Sequence, residues 1–328
     1  MNDSGKKNLK FLSCVFGIFG FYFLYGILQE RITRVNYGDE RFTYIFALIF
    51  VQCIFNLFYA IFVSKFFFKT SPTNDSTPNS YFMIAAFTYL TAMVASNKAL
   101  AWVNYPTQVI GKSCKPIPVM ILGVLIGGKR YPLKKYFFIL LVVIGIVLFM
   151  YKDQGKASSE KDDAFSLGIG ELLLILSLTC DGLTGAVQER LKSTYRTSST
   201  AMMMNMNLWS IVYSGIVILY TGELIDFLSF IKRHPDFMPQ LLSFCFASAL
   251  GQLFIYICVA DFGPLPCSII TTTRKFFTVL GSVIFFGNSL ISRQWIGTLF
   301  VFTGLILDGI FGKSAPSPIQ IGRVSKVN

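Results

Sequence analysis

Five basic residues lie in apolar stretches of the chain, where a membrane-spanning helix would ordinarily carry no charge, and four of them remain when Lys98, near the end of its stretch, is set aside. Lys112 and Lys115 share one such stretch, and Arg274 and Lys275 share a second, much later one. A cation at the bilayer centre costs at least ~2.5–3.5 kcal/mol on insertion scales, so such residues usually face a protein interior or an aqueous cavity and serve function. Arginine offers a bidentate fork and lysine a mobile point charge, the usual combination for phosphate. The four therefore predict a site for a diphosphate or triphosphate.

The spacing of Lys112 and Lys115 predicts that both side chains lie on one face of a helix. Gln108, Lys112 and Lys115 stand at i, i+4 and i+7, which places them on one face of a helix. Pro116 and Pro118 follow directly, and because proline lacks a backbone donor they predict a bend or break there. Aromatic and amide side chains that would suit a base and a ribose are Tyr105, Gln108, Asn205, Asn207 and Gln252.

Other chemistries find little support in the sequence. Gly111-Lys112-Ser113 has the ending of a P-loop, but that motif needs glycine at position 106, where the chain has Pro106, and no strand precedes it. The seven cysteines lie in apolar runs without a Cys-x-x-Cys spacing, and His234 is the one histidine. The sequence thus predicts no catalytic residues, no metal site and no cofactor.

An alternative for the buried cations is that they pair with acids of neighbouring helices. Some pairing is expected, but four clustered cations exceed what holding helices together requires, so substrate binding is the preferred hypothesis. Desolvating an unpaired cation costs several kcal/mol, so four of them would resist closing around an empty cavity and would make exchange of one anion for another obligatory. The candidate acids are Glu30, Glu171, Asp181, Glu189 and Asp308.

The composition indicates that these residues sit in a membrane protein. Of 328 residues, 53% are hydrophobic and 14% charged, whereas a soluble domain carries about 25% charge. The net charge of +12 belongs mostly to loops and helix ends. The expected surroundings are a lipid bilayer, and nucleic acid is not an expected partner.

Ten apolar runs are long enough to span a bilayer, and the second five repeat the first five at an offset of 159 residues. At that offset Gln29-Glu30-Arg31 matches Gln188-Glu189-Arg190, and Lys115 matches Arg274. An odd number of helices per half inverts the second half, as in secondary transporters, whose substrate binds between the repeats near the midplane. The predicted fold class is an all-α membrane protein with ten transmembrane helices in two inverted five-helix repeats. The runs cover residues 9–29, 42–66, 81–101, 106–127, 135–151, 168–188, 201–222, 240–260, 265–287 and 294–311.

The predicted organisation is a first repeat over residues 1–151, a polar linker over 152–167, a second repeat over 168–311 and a disordered cytosolic tail over 312–328. Fifteen basic residues fall on the side of the termini and nine on the other side. That excess favours both termini in the cytosol. Lys10, Lys129 and Lys192 belong to the side of the termini, and Arg41, Lys232 and Arg233 to the other.

These motifs resemble those of the nucleotide-sugar transporters of the solute carrier 35 family, B branch, and the likeness covers nearly the whole chain. The resemblance implies a ten-helix carrier of the drug/metabolite transporter fold, in the endoplasmic-reticulum membrane, that exchanges ATP for ADP by alternating access. It also implies that Lys112, Lys115, Arg274 and Lys275 hold the phosphates, with Glu30 and Gln108 nearer the nucleoside. The matching segments are residues 25–30, 104–118, 181–185, 207–210 and 271–277.

Two alternatives stay open. A UDP-galactose or other UDP-sugar/UMP antiporter shares the fold and the cations, and base selection depends on pocket shape, which one sequence does not give. A membrane scaffold without a substrate is disfavoured by the doubled cationic motif. The chain ends Val324-Ser325-Lys326-Val327-Asn328, which is not a di-lysine retrieval signal, so the endoplasmic reticulum rests on the resemblance and the Golgi stays open.

Overall fold

The computed structural model describes residues 3–38, 40–68, 77–99, 102–103, 108, 111–150, 168–285 and 292–311. The described chain is almost entirely helical, and a helix lies within each of the ten predicted runs. Helices suit a bilayer because they satisfy every backbone donor and acceptor internally. The predicted linker and tail lie outside the described residues. The helices are α1 (Asp3–Arg34), α2 (Ile45–Val63), α3 (Asn79–Ala99), α4 (Pro116–Leu125), α5 (Leu133–Met150), α6 (Ile169–Arg190), α7 (Ser199–Thr221), α8 (Glu223–Arg233), α9 (Phe237–Phe262), α10 (Pro264–Phe285) and α11 (Ser292–Phe311).

Five of the described helical segments are long and apolar enough to cross a membrane. The predicted helical fold class of a multi-pass membrane protein is confirmed, since the described chain is almost entirely helical and several helices could span a bilayer. The count of ten spans in two inverted repeats stays a prediction. Helices α2 and α6 each continue into a short π-helical turn, Ser64–Phe68 and Leu191–Tyr195. The five segments are Gly5–Thr33, Ile45–Phe66, Ile169–Tyr195, Ser199–Thr221 and Phe237–Phe262.

Helix α8 lies in the connection between the predicted runs 201–222 and 240–260, where no element was predicted. Acidic residues stand in its first turn and Lys232 and Arg233 in its last, which complements the helix dipole. Phe227 and Phe230 are buried against the aromatic cluster beneath it. These apolar residues at helical spacing make α8 an amphipathic helix.

A short antiparallel hairpin of β1 (Asn36–Tyr37) and β2 (Glu40–Arg41) also stands in a connection, the one between α1 and α2. The guanidinium of Arg233 donates to the Glu40 carboxylate at 2.9 Å and so ties α8 to this hairpin. That hydrogen bond lowers the pKa of the Glu40 carboxyl below its usual value. The contact lies at the end of the molecule where α1 finishes.

The opposite end, where α1 begins, carries a cluster of charged contacts. Lys10 pairs with Asp261 at 2.8 Å, and the ammonium of Lys192 donates to the Asp261 carbonyl oxygen at 3.0 Å. Lys129 pairs with the buried Glu189 at 3.1 Å. We call these five residues the terminal ion cluster. It brings Lys10, Lys129 and Lys192 to one end, as the loop assignment predicted.

The packing partners of the helices follow the offset of 159 residues. At that offset α1 corresponds to α6, α2 to α7, α3 to α9, α4 to α10 and α5 to α11. Helix α1 packs on α9, and the corresponding pair, α6 and α3, packs likewise. The pairs α2–α7, α4–α10 and α5–α11 each correspond to themselves and also pack together.

Helices α5 and α11 meet through glycines. A Cβ added at Gly145 would lie 2.7 Å from the carbonyl oxygen of Gly297, and one added at Gly297 would lie 2.7 Å from that of Gly145. Small residues let helix backbones approach closely in a membrane, where packing drives association. These two positions therefore require glycine.

We predict that Gly145→Ala destabilises the protein, because the new Cβ forces the two backbones apart. Overpacking of this kind costs about 1–3 kcal/mol, so the midpoint of thermal unfolding of the purified protein should fall. Gly20→Ala is the matched control, since nothing lies within 4 Å of its added Cβ. Equal unfolding midpoints for the two variants would contradict the close packing of α5 on α11.

Candidate substrate-binding site

Two lysines share one buried carboxylate inside the helix bundle. The ammonium of Lys112 lies 2.7 Å from Oδ2 of Asp181, and that of Lys115 lies 3.0 Å from Oδ1. The side chain of Asp181 is only 6% exposed, whereas those of Lys112 and Lys115 are 17% and 33% exposed. We call these three residues the lysine–aspartate triad.

The local sequence around the lysines explains how they point to one carboxylate. Cys114 and Lys115 form a turn, and α4 begins at Pro116, immediately after it. Proline is well suited to the first turn of a helix, where its missing donor has no intrahelical partner to lose. The predicted break after the lysines is thus confirmed.

Glycines bring Asp181 within reach of that turn. A Cβ added at Gly182 would lie 2.9 Å from the carbonyl oxygen of Pro118, and one at Gly185 would lie 2.9 Å from Cγ1 of Val119. The backbone of α6 therefore lies directly against the first turns of α4. A larger residue at either position would move Asp181 away from the lysines.

A hydroxyl group completes the surroundings of Lys112. Its ammonium donates to Oγ of Ser177 at 2.7 Å, and Ser177, one turn before Asp181, donates in turn to the carbonyl oxygen of Ala92 in α3. The amide of Gln108 also reaches α3, donating to the carbonyl oxygen of Ser96 at 2.7 Å. Gln108, Lys112 and Lys115 thus face the same helix pair, α3 and α6, as their spacing predicts.

The triad corrects one expectation. Lys112 and Lys115 are paired with an acid of a neighbouring helix, so the prediction of four uncompensated cations is wrong for these two. Other candidate acids pair with lysines elsewhere: Glu189 contacts Lys129, and Asp308 lies 3.2 Å from Lys135. The alternative that the cations pair with acids of neighbouring helices is therefore correct for Lys112 and Lys115, two of the four.

The triad adjoins a cavity of about 110 Å³. Lys115 and Asp181 line it, and Lys112 does not. We call it the lysine cavity. Its walls come from seven helices or their ends, and the polar members are Tyr22, Tyr89, Lys115, Asp181, Thr184, Gln188, Gln252, Tyr256, Ser268 and Thr271.

A second cavity, of about 80 Å³, adjoins the first and is rich in carboxamides. We call it the amide cavity. Asn207 donates to Oε1 of Gln252 at 2.8 Å across it, and Gln52 donates to Oγ of Ser248 at 2.7 Å. The two cavities share four lining residues, Tyr89, Met206, Gln252 and Tyr256. The carboxamide side chains that line the amide cavity belong to Gln29, Gln52, Asn56, Asn97, Asn207 and Gln252.

Arg274 lies beside the lysine cavity rather than on its wall. Its guanidinium carbon is 5.3 Å from the ring centroid of Tyr22, which lines the cavity. That distance is within the range of a cation–π interaction. Lys275 follows in α10, but only its backbone is described.

The remaining predicted residues divide between the amide cavity and other positions. Asn207 and Gln252 line the amide cavity, whereas Asn205 donates to the carbonyl oxygen of Ala201 one turn earlier in α7. Gln108 lines neither cavity. Tyr105 lies outside the described residues, and of Glu30 only the backbone, in α1, is described.

Sequence reasoning missed most of the amide cavity. Gln52 and Asn56 stand four residues apart in the otherwise apolar α2, and paired carboxamides in an apolar helix are a signal that could have found them. The tyrosines of the cavity walls carried no such signal, because the chain has fifteen tyrosines spread over spans and interfaces. Among the described residues, no group of three His, Cys, Asp or Glu side chains could hold a metal ion.

Comparison with known proteins gives one consistent result. Residues 10–310 match the UAA transporter family. The chain is 51% identical to Solute carrier family 35 member B1 of Xenopus tropicalis over 96% of this chain and 97% of the relative. It is 52% identical to the protein of that name from Rattus norvegicus, over 92% and 93%. It is 49% identical to the Solute carrier family 35 member B1 homolog of Drosophila melanogaster, over 94% and 92%.

We predict that Ser177→Ala lowers the stability of the protein, because the buried Lys112 ammonium loses an acceptor. Leaving a buried donor unsatisfied costs about 1–3 kcal/mol. Thermal unfolding of the purified protein measures the effect. Ser243→Ala is the matched control, since its hydroxyl is exposed and bonds only to Pro239 of its own helix. If both serine variants unfold at the temperature of the unsubstituted protein, Ser177 does not support Lys112.

Proposed function

The chain belongs to the UAA transporter family, and on that premise we propose that it is a nucleotide antiporter that exchanges ATP for ADP across the endoplasmic-reticulum membrane by alternating access. The family makes it a transport protein rather than an enzyme, and the resemblance to the B branch of solute carrier family 35 is confirmed. The substrate, the direction and the compartment are the proposal. One observation carries it: a cavity lined by Lys115 and Asp181 adjoins a cavity lined by carboxamides.

The charge of the site supports a polyanionic substrate. Two lysines contact one carboxylate, and Arg274 lies against Tyr22 beside the lysine cavity, so the described side chains leave this region net positive. Lys275, beside Arg274 in α10, adds a further cation to that helix. We propose that Lys112, Lys115, Arg274 and Lys275 form the phosphate site.

The division into two cavities supports a substrate with an anionic part and an uncharged polar part. We propose that the phosphates occupy the lysine cavity and the nucleoside the amide cavity, against Asn207 and Gln252. Gln108 donates to Ser96 of α3, so we propose that it holds that helix in place. Asn205 donates to Ala201 of its own helix and lines neither cavity. Glu30 stays a proposed nucleoside contact through the resemblance, and Tyr105 stays one because its aromatic side chain suits a base.

The small volumes of the two cavities support a proposal that the helix bundle opens to admit the substrate. Pockets for whole small-molecule ligands typically measure about 300–1,000 Å³, whereas the two cavities are about 110 and 80 Å³. A nucleotide therefore requires the shared wall to move and the bundle to open. The helix pairs that correspond at the offset of 159 residues support two inverted repeats that rock about this site.

A UDP-sugar/UMP antiporter of the endoplasmic reticulum or Golgi is the second candidate. One observation favours it, because Asp181 offsets part of the positive charge of the lysines. A nucleotide-sugar carries fewer negative charges than ATP and asks for fewer cations.

Uptake into proteoliposomes separates the two candidates. We expect labelled ATP to enter vesicles that contain the purified protein only when ADP is inside, because the proposed carrier returns loaded. UMP or buffer inside should not support uptake, and UDP-galactose outside should not compete. Uptake of UDP-galactose driven by internal UMP would instead establish the second candidate, and uptake without any internal nucleotide would contradict exchange.

We predict that Lys115→Ala and Arg274→Ala each reduce nucleotide exchange by at least about 100-fold, because losing one partner of a desolvated charge contact costs about 2–5 kcal/mol or more. The proteins should still purify from the membrane fraction. Lys98→Ala is the matched control, since Lys98 is exposed at the end of α3 and outside both cavities. Unchanged exchange in Lys115→Ala would move the substrate site elsewhere.

A further inference from the structure

The two lysines of the triad differ in their surroundings. Lys112 has two partners, Asp181 and Ser177, and lines neither cavity. Lys115 lines the lysine cavity, and within the described part of the chain Asp181 is the only anion that pairs with it. Lys115 is also the more exposed of the two, at 33% against 17%. One lysine is therefore fixed from two sides, and the other faces the space that a substrate would enter.

The same carboxylate that holds Lys115 is also part of the cavity wall. Asp181 lines the lysine cavity, so an anion that enters there meets a negative charge 3.0 Å from the ammonium it would bind. Two anions cannot share one lysine at short range in a desolvated site without strong repulsion, because like charges interact strongly where water is excluded. An entering phosphate therefore competes with Asp181 for Lys115.

We propose that Asp181 is the built-in counter-anion of the phosphate site: it neutralises Lys115 in the empty carrier and gives Lys115 up to the entering phosphate, while Lys112 and Ser177 keep Asp181 in place. In this arrangement Lys112 is a positioning residue, which acts on the substrate through Asp181. The inference rests on the proposed function, since it assigns roles within the same phosphate site.

The arrangement also changes the explanation of exchange that the sequence suggested. An empty site with bare cations would resist closing, but the triad supplies an internal anion for two of the four cations, so repulsion between these two lysines is not the cause of the proposed exchange. Asp181 lowers the affinity for the phosphates and thereby helps their release. Removing its charge should tighten binding and slow release.

The first test measures binding of inorganic tripolyphosphate to the purified full-length protein by titration calorimetry. Asp181→Asn should bind it about tenfold more tightly, and Lys112→Met about tenfold more weakly, since Asp181 then pairs with Lys115 alone; tenfold is a modest effect for one charge at such distances. If Asp181 merely holds the helices together, Asp181→Asn should bind more weakly and unfold at a lower temperature, and that result overturns the proposal.

The double variant Lys112→Met/Asp181→Asn tests the role of Lys112, because it removes both charges of the Lys112–Asp181 pair together. If Lys112 acts through Asp181, the two effects are not additive, and the double variant binds tripolyphosphate at least as well as the unsubstituted protein does. If Lys112 contacts the phosphate itself, binding stays as weak as in Lys112→Met, which overturns the assignment. If Asp181→Asn does not fold, the comparison of the double variant with Lys112→Met still tests whether Lys112 acts through Asp181.

Exchange kinetics then separate this proposal from the proposed function. In proteoliposomes Asp181→Asn should lower both KM and kcat for ATP, because tighter binding slows release, whereas a structural defect would lower kcat alone or raise KM. If the unsubstituted protein exchanges no ATP while the tripolyphosphate results hold, the proposed function fails and the role of Asp181 stands. If ATP is exchanged but Asp181→Asn binds tripolyphosphate no tighter, the role of Asp181 fails and the function stands.

Discussion

The bundle depends on one carboxylate that two lysines share. A charge inside a membrane protein is tolerated only when it is paired or faces water. Asp181 is the ion-pair partner of both Lys112 and Lys115. The surrounding sequence makes this contact possible. Pro116 follows the turn that holds Lys115, and Gly182 lets the backbone of α6 lie against the start of α4. The position of α4 on α6 and the electrostatics of the cavity therefore have the same origin.

The sequence predicted the features that depend on local chemistry. A lysine in an apolar run and a proline behind it can be recognised without knowing any neighbour, and both Lys112 and the break at Pro116 lie where they were expected. The partner of the lysines could not be chosen in advance, since five acids were available and the rotation of α6 against α4 selects Asp181. The amide cavity escaped notice for the same reason, because Gln52 and Asn207 come from α2 and α7, which are far apart in sequence. Helix α8 was overlooked although its apolar spacing was visible.

The two cavities show how one bundle offers two kinds of environment. Among the described side chains, the charged residues of the cavity walls are Lys115 and Asp181, whereas carboxamides from α1, α2, α3, α7 and α9 line the amide cavity. Gln252 stands on both walls and, through Asn207, links the second cavity to α7. A substrate that contacts both cavities therefore contacts helices of both predicted repeats. Under the proposed rocking motion, such a substrate would link the two repeats.

The terminal ion cluster breaks the symmetry that the helix pairs otherwise follow. At the offset of 159 residues, Lys192 corresponds to Thr33, Asp261 to Trp102 and Lys10 to Ile169, so the other end of the bundle cannot build the same contacts. Under the proposed rocking motion these pairs open only when the end that holds the start of α1 opens. The exposed pair in this cluster, Lys10 with Asp261, contributes about 0–1 kcal/mol and weakens with salt. Under the proposed motion we therefore expect the two orientations of the carrier to be unequally populated, with the ionic strength at that end of the molecule setting the ratio.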